Sequence, residues 1–208
     1  YCGGTILDKN HVLTAGHCIN VFQESLKEIY ASVGDYVLSI DGPYKHKLRV
    51  IQQIRHPGYQ GRSDHLNDIG IVKVEGDIPI SSHVGEVNLP SSNMDPTGLR
   101  CNVTGWGELS DNFYPDYIYT ADVVVMEDSD CQVVWENHNV AVFNENVCSI
   151  SEDDRFRGPC NGDSGGPLMC RVDGISYQIG IVSWGLRGCQ LNVPSVYTEV
   201  SYYLDWIN

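Results

Sequence analysis

The sequence predicts an all-β protein in two halves, and three observations carry that prediction. Its apolar segments are short runs rich in Val, Ile, Leu and Tyr. Gly, Pro, Asn and Asp interrupt them throughout, which is the punctuation of a sandwich or barrel. One linker-like stretch, 88–99, gathers Pro90, Asn93, Asp95, Pro96 and Gly98 near the midpoint of the 208 residues.

Taken in order, the strand-like runs before the midpoint are 5–7, after Gly3-Gly4, 29–33, stopped by Gly34, 48–54, stopped by His56-Pro57, and 69–74, stopped by Gly76. Those after it are 101–105, 121–126, 180–183 and 196–200, each a Val-containing run short enough for a strand. Only 130–135 and the C-terminal 202–207 predict helix. No repeat or low-complexity segment interrupts the pattern.

A chain of this length can bury a sizeable core as one globular unit or two small ones. It has 27 acidic and 13 basic residues, a net charge of −14, which makes nucleic acid an unfavourable partner. The acidic clusters Glu127-Asp128-Ser129-Asp130 and Glu152-Asp153-Asp154 read as solvated loops. No apolar run is long enough for a membrane-spanning helix. The eight cysteines lack metal-ligand spacing and point to disulfides, an oxidising compartment and secretion. Sequence alone does not choose their pairing.

Chemistry centres on Cys160-Asn161-Gly162-Asp163-Ser164-Gly165-Gly166-Pro167. Glycines around one hydroxyl suit a tight turn that presents Ser164 together with free N–H groups. Taken alone the run is also an ordinary Gly/Ser turn. A serine nucleophile needs a general base and an acid that orients the base. All seven histidines precede Ser164, so the chain order of the α/β-hydrolases, with histidine after serine, is excluded.

His17, in Leu13-Thr14-Ala15-Gly16-His17-Cys18, is the best base, because an apolar run ends there in small residues that admit other segments. His56, His65, His46 and His138 lie in polar stretches and read as surface residues. Asp68 heads the apolar run Ile69-Gly70-Ile71-Val72, which places its carboxylate at a core edge, where it needs a donor. A strand-capping role is the plainer alternative.

Together, Thr14-Ala15-Gly16-His17-Cys18, Asp68-Ile69-Gly70-Ile71 and Gly162-Asp163-Ser164-Gly165-Gly166-Pro167 resemble the three signature segments of the chymotrypsin/trypsin family of serine endopeptidases. The resemblance runs from Tyr1 to Asn208 and includes Cys2-Gly3-Gly4, Thr104-Gly105-Trp106-Gly107, Ser183-Trp184-Gly185 and Pro194-Ser195-Val196-Tyr197-Thr198. It implies two six-stranded antiparallel β-barrels with a short C-terminal helix in a single peptidase domain. Residues 1–95 would form the first barrel, incomplete at its N-terminus, and 96–208 the second barrel and helix. The implied disulfides are Cys2–Cys18, Cys101–Cys170, Cys131–Cys148 and Cys160–Cys189.

The same resemblance implies catalysis by His17, Asp68 and Ser164, with an oxyanion hole from the N–H groups of Gly162 and Ser164. Asp163 would pair with the α-amino group released when a zymogen is cut. Without that terminus the chain is expected to be zymogen-like. Substrate binding falls to Gly158 at the pocket floor, Ser183 and Trp184 beside it, and Gly185 and Ser195 as walls. None of these is charged, so the expected preference is for medium to large apolar side chains, not Arg or Lys.

No cofactor is implied. A calcium site of the kind some members carry is not expected, since Lys45 stands where its second acid would be, opposite Asp35. The sequon Asn102-Val103-Thr104 adjoins Cys101 in a strand expected to be buried, which argues against glycosylation. Expected partners are protein or peptide substrates and protein protease inhibitors, with no membrane and with monomer as the family default. The competing function is a silent homologue that binds partners through the same fold.

Overall fold

The computed structural model describes residues 1–19, 29–61, 65–109, 112–152, 157–186, 188–189 and 192–208. Asp153 and Asp154 of the second acidic cluster lie outside them. In the first half, β1 (Thr5–Asp8), β2 (His11–Thr14), β3 (Tyr30–Val33), β4 (His46–Arg55) and β5 (Gly70–Val74) form a sheet in the order β1-β2-β5-β4-β3. This half-barrel is the first of the two expected barrel-like sheets. Five strands pair among the described residues, and the sheet stays open because β1 pairs only with β2 and β3 only with β4.

In the second half, β6 (Arg100–Gly105), β7 (Tyr119–Val125), β8 (Asn146–Ser151), β9 (Pro167–Val172), β10 (Ile175–Trp184) and β11 (Ser195–Glu199) close into a barrel in the order β10-β11-β8-β7-β6-β9. All its pairs are antiparallel. Alternation along β6 buries Cys101 and Val103 in the barrel and turns Asn102 outward. Asn102 is thus exposed, contrary to the expectation for the sequon, and its amide donates to Asp122 at 2.5 Å.

Helix α1 (Asp128–Glu136) is longer than its predicted core. Asp128 and Asp130 lie in its first turn, where the helix dipole favours negative charge. Cys131 and Trp135, four residues apart on one face, are buried, and the Cys131–Cys148 disulfide fixes the helix to β8. The chain ends in a 3₁₀ turn, Val200–Tyr203, and a short helix, α2 (Leu204–Ile207). No described helix is long and apolar enough to cross a membrane.

The halves share apolar contact where the chemistry would lie. Leu13, Ala15, Ile69 and Ile71 from the first half pack in one cluster with Ile181, Val200 and Tyr203 from the second. Ala15 stands two residues before His17, and Ile69 directly follows Asp68. Burial of this cluster therefore fixes both segments against the second barrel.

Candidate active site

Strand register brings His17 and Asp68 together. In the β2–β5 pair Thr14 lies opposite Gly70, so the 3₁₀ turn Gly16–Cys18 and the residues just before β5 emerge on the same rim. A side chain on Gly16 would put a Cβ 3.1 Å from Ile69 N and 3.3 Å from Asp68 Oδ1. Glycine there permits the close approach.

Asp68 is 1% exposed, and donors surround its carboxylate. Oδ1 accepts the His17 backbone N–H at 2.7 Å. Oδ2 pairs with His17 Nδ1 at 2.7 Å and accepts the Ser183 hydroxyl at 2.5 Å. Its carbonyl accepts the Thr198 hydroxyl at 2.8 Å. A carboxylate facing Nδ1 holds the ring proton on that nitrogen, which leaves Nε2 as the basic atom. Ser183, expected on the substrate side, thus directs its hydroxyl to Asp68.

Ser164 arrives from the second half on the loop before β9. Its carbonyl accepts the Gly3 N–H at 2.7 Å, and Cys18 Sγ lies 3.6 Å from the same oxygen. Gly165 has φ of +81°, and a Cβ there would lie 2.6 Å from Gly3 O and 3.1 Å from Ala15 N. That position therefore accepts only glycine without rearrangement. Among the described residues no hydrogen bond joins the Ser164 hydroxyl to the His17 ring. Such bonds are often long in unliganded sites and tighten when substrate binds.

The N–H groups of this loop divide into two sets. Those of Asp163, Gly165 and Gly166 donate to Cys160 O at 3.0 Å, Val182 O at 2.8 Å and Asp163 O at 2.9 Å. Those of Gly162 and Ser164 meet no acceptor among the described residues. Gly162 and Ser164 are half-buried, and their N–H groups, on either side of the Asp163 turn and next to the hydroxyl, are free of the protein's own described acceptors.

Asp163 turns the other way. Its carboxylate accepts the N–H groups of Gly107 at 2.9 Å and Cys160 at 3.0 Å. Burial raises its pKa above the usual carboxylate value, although the two N–H donors act to lower it. No Lys, Arg or His pairs with it among the described residues.

Of the residues expected to bind substrate, Ser183, Trp184 and Gly185 lie at the end of β10 and Ser195 at the start of β11, with Trp184 opposite Val196 in the register. Gly185 is exposed and has nothing within 4 Å of the Cβ position. Gly158 and Ser195 are half-buried. The disulfide Cys160–Cys189 ties the serine loop to the segment after β10. The remaining cysteines pair as Cys2–Cys18 and Cys101–Cys170.

Three histidines assigned to the surface, His46, His56 and His65, are half-buried instead. His65 stacks on Trp184 with ring centroids 5.1 Å apart, and His56 packs on Tyr203 at 5.4 Å and Trp206 at 5.2 Å. Their polar sequence neighbours conceal aromatic partners more than a hundred residues away. Desolvation lowers the pKa of His56, against a raising influence from Glu145.

His17, Cys2 and Cys18 place possible ligand atoms within 4.8 Å of one another, but both sulfurs are committed to a disulfide and offer no thiolate. Near β3, the Lys45 ammonium lies 3.2 Å from Asp35 Oδ1 and 3.5 Å from Asp41 Oδ1. It also donates to Leu38 O at 2.8 Å. Desolvation would lower its pKa, yet the two carboxylates hold it above the ordinary value. The chain supplies its own cation to this loop.

The family model described as Trypsin matches residues 1–207. The chain is 35% identical over 211 residues to kallikrein-7 of Homo sapiens, covering all of this chain and 76% of that one. It is 34% identical over 217 residues to tryptase of Mus musculus, covering all of this chain and 77% of that one. Among solved structures, neuropsin, a serine protease expressed in the limbic system of mouse brain, matches with a TM-score of 0.85. That match has 29% identity and covers 99% of this chain and 86% of the other.

Proposed function

We propose, from the premise that the chain belongs to the trypsin family of serine endopeptidases, that it cleaves peptide bonds through Ser164, His17 and Asp68. Ser164 Oγ attacks the carbonyl carbon, and its proton passes to His17 Nε2. The tetrahedral oxyanion is bound by the N–H groups of Gly162 and Ser164. Collapse expels the leaving amine, which takes the proton from His17, and water then hydrolyses the acyl-enzyme by the same route. The Asp68 carboxylate steadies the imidazolium.

The observation that carries this reading is the buried Asp68 carboxylate, 2.7 Å from Nδ1 of His17 and on the rim that the Ser164 loop meets. The two unpaired N–H groups beside Ser164 support the oxyanion assignment. One such donor typically contributes on the order of 10²–10³ in rate.

Uncharged Gly158, Gly185 and Ser195 support a pocket for medium to large apolar side chains, because a substrate Arg or Lys would be buried there unpaired. Trp184 would flank the substrate chain. The half-buried Asp163 suits an α-amino group as its counter-ion, as in an activated zymogen. Four disulfides support an extracellular setting. We assign residues 1–95 and 96–208 to the two halves of one peptidase domain, acting on protein or peptide substrates.

The test is a cleavage profile of the activated full-length protein on a mixed peptide library, with Ser164→Ala as control. Cleavage after Leu, Met, Phe or Tyr that vanishes in the control supports the whole reading. Cleavage after Arg or Lys overturns the pocket assignment. Failure of an activated sample both to cleave and to react with a fluorophosphonate favours the silent homologue.

A further inference from the structure

We infer that Glu145 is a positioning residue that sets the orientation of Asp68 through the backbone of Asn67, an inference that rests on the roles proposed for His17, Asp68 and Ser164. Glu145 lies just before β8, in the second half of the chain, and is 7% exposed. Its carboxylate accepts the backbone N–H of Asn67, the residue next to Asp68 in the first half.

Asn67 has φ of +54°, a left-handed conformation that persists only where the surroundings impose it. Every polar group of this residue is engaged. Its N–H goes to Glu145, its carbonyl accepts Ile69 N–H at 2.8 Å, its amide donates to Gly58 O at 3.3 Å, and its amide oxygen accepts the Tyr203 hydroxyl at 3.3 Å. Because the backbone at 67 fixes where the next Cα–Cβ bond points, these contacts aim the Asp68 side chain. The Asp68 carbonyl is fixed separately by Thr198.

Glu145 has no Lys or Arg partner among the described residues. The groups facing it are the Asn67 N–H, the Tyr203 hydroxyl and the His56 ring. Burial, and then the Glu145 carboxylate itself, push the pKa of Tyr203 up, so it remains a neutral donor. His56 is kept toward its neutral form by desolvation. A buried carboxylate is a costly acceptor for one backbone N–H when a neutral oxygen would satisfy it. What the side chain adds here is a fixed, directional acceptor oxygen for the Asn67 N–H, which glutamine would also supply. Glu145 is itself anchored, since its carbonyl accepts the Glu199 N–H at 2.8 Å.

The test compares the activated full-length enzyme with Glu145→Gln, which keeps an acceptor oxygen, Glu145→Leu, which removes it, and Glu145→Leu/Asn67→Gly, in which glycine adopts positive φ without help. Steady-state kinetics on a cleaved peptide are read alongside the low-field NMR resonance of the proton between His17 and Asp68. Glu145→Leu should lower kcat about 10- to 100-fold with KM unchanged and shift or broaden that resonance. Glu145→Gln should stay within about threefold of wild type, and the double variant should regain at least half of the lost decades.

If Glu145→Leu does not fold, the double variant decides, because it is expected both to fold and to be active. Normal kcat and an unmoved resonance in Glu145→Leu overturn the inference, as does an equal loss in Glu145→Gln or no recovery in the double variant. Ser164→Ala and His17→Ala are run in the same assay. If they retain activity, the proposed triad fails, an outcome separate from any result at Glu145.

Discussion

Replacing Asp68 with Asn tests the proposed chemistry at its narrowest point, and the hydrogen-bond geometry predicts the result. Three donors converge on the carboxylate: the His17 N–H on Oδ1, and His17 Nδ1 and the Ser183 hydroxyl on Oδ2. Asparagine offers one oxygen and one NH₂ group. The backbone N–H of His17 cannot become an acceptor, so the amide oxygen must face it. The NH₂ then faces Nδ1 and Ser183, whose hydroxyl can rotate to accept.

Nδ1 must also accept, which moves the ring proton to Nε2 and removes the base. The flipped amide would restore the tautomer but set NH₂ against a buried N–H, at a cost of about 1–3 kcal/mol. That penalty alone biases the ring toward the inactive tautomer by about 5- to 150-fold. Loss of the negative charge that steadies the imidazolium adds to it, and the two effects together should lower kcat by about 10⁴, or about 5.5 kcal/mol. The assay is kcat/KM on a cleaved peptide, with Ser164→Ala as the floor and circular dichroism as the check on folding. A folded Asp68→Asn enzyme that keeps more than about a tenth of wild-type kcat would refute the tautomer argument.

At the proposed pocket floor, Gly158→Asp should move cleavage toward Arg and Lys by at least about tenfold relative to Leu, read from the same peptide library; no change would show that residue 158 does not meet the substrate side chain. Asp163 has a folded pKa raised above 3.8 by burial, so its contribution favours the fold below that value and is lost as pH rises through the folded pKa. In urea titrations of this chain, the stability of wild type relative to Asp163→Asn should therefore decline upward from about pH 4, and a constant difference would contradict the assignment. Lys45→Met should lower Tm and make the 34–45 loop an early target of limited proteolysis, while EDTA leaves the wild-type Tm unchanged; a drop with EDTA would point to a metal in place of the lysine.

The sequence reveals those parts of the site whose chemistry is local. Ser164 is legible as the proposed nucleophile because that role needs a tight turn and nearby donors, and glycines on both sides advertise it. His17 and Asp68 are legible by chain order and by their positions at the ends of apolar runs. The donors around Asp68 are not legible, because Ser183 and Thr198 follow it by 115 and 130 residues and lie in strands whose composition only predicts burial. Nothing adjacent to Glu145 marks it as the acceptor for Asn67.

The same limit explains the fold. Strand β8, Asn-Val-Cys-Ser-Ile-Ser, carries too much polarity to read as a strand, yet barrel closure buries four of its residues. Strand β9 opens on Pro167, which suits the first position of a strand but reads as a break. His56 and His65 sit among polar neighbours in sequence and against aromatic rings in space.

What joins these observations is the direction from which Asp68 is held. Covalently it belongs to the first half, next to β5, but three of its nearest constraints come from the second. Ser183 donates to its carboxylate, Thr198 to its carbonyl, and Glu145 receives the N–H of its neighbour. The apolar cluster of Leu13, Ala15, Ile69 and Ile71 with Ile181, Val200 and Tyr203 lies under the same junction. A small shift between the halves would move the carboxylate relative to His17 while leaving the closed barrel of the second half hydrogen-bonded. Under the proposed roles, a shift of about 1 Å there is enough to cost about 100-fold in rate. The junction therefore governs activity more tightly than stability: substitutions in its apolar cluster should reduce kcat before they unfold the protein, whereas equal cavities inside the second barrel should unfold it with kcat per folded molecule preserved.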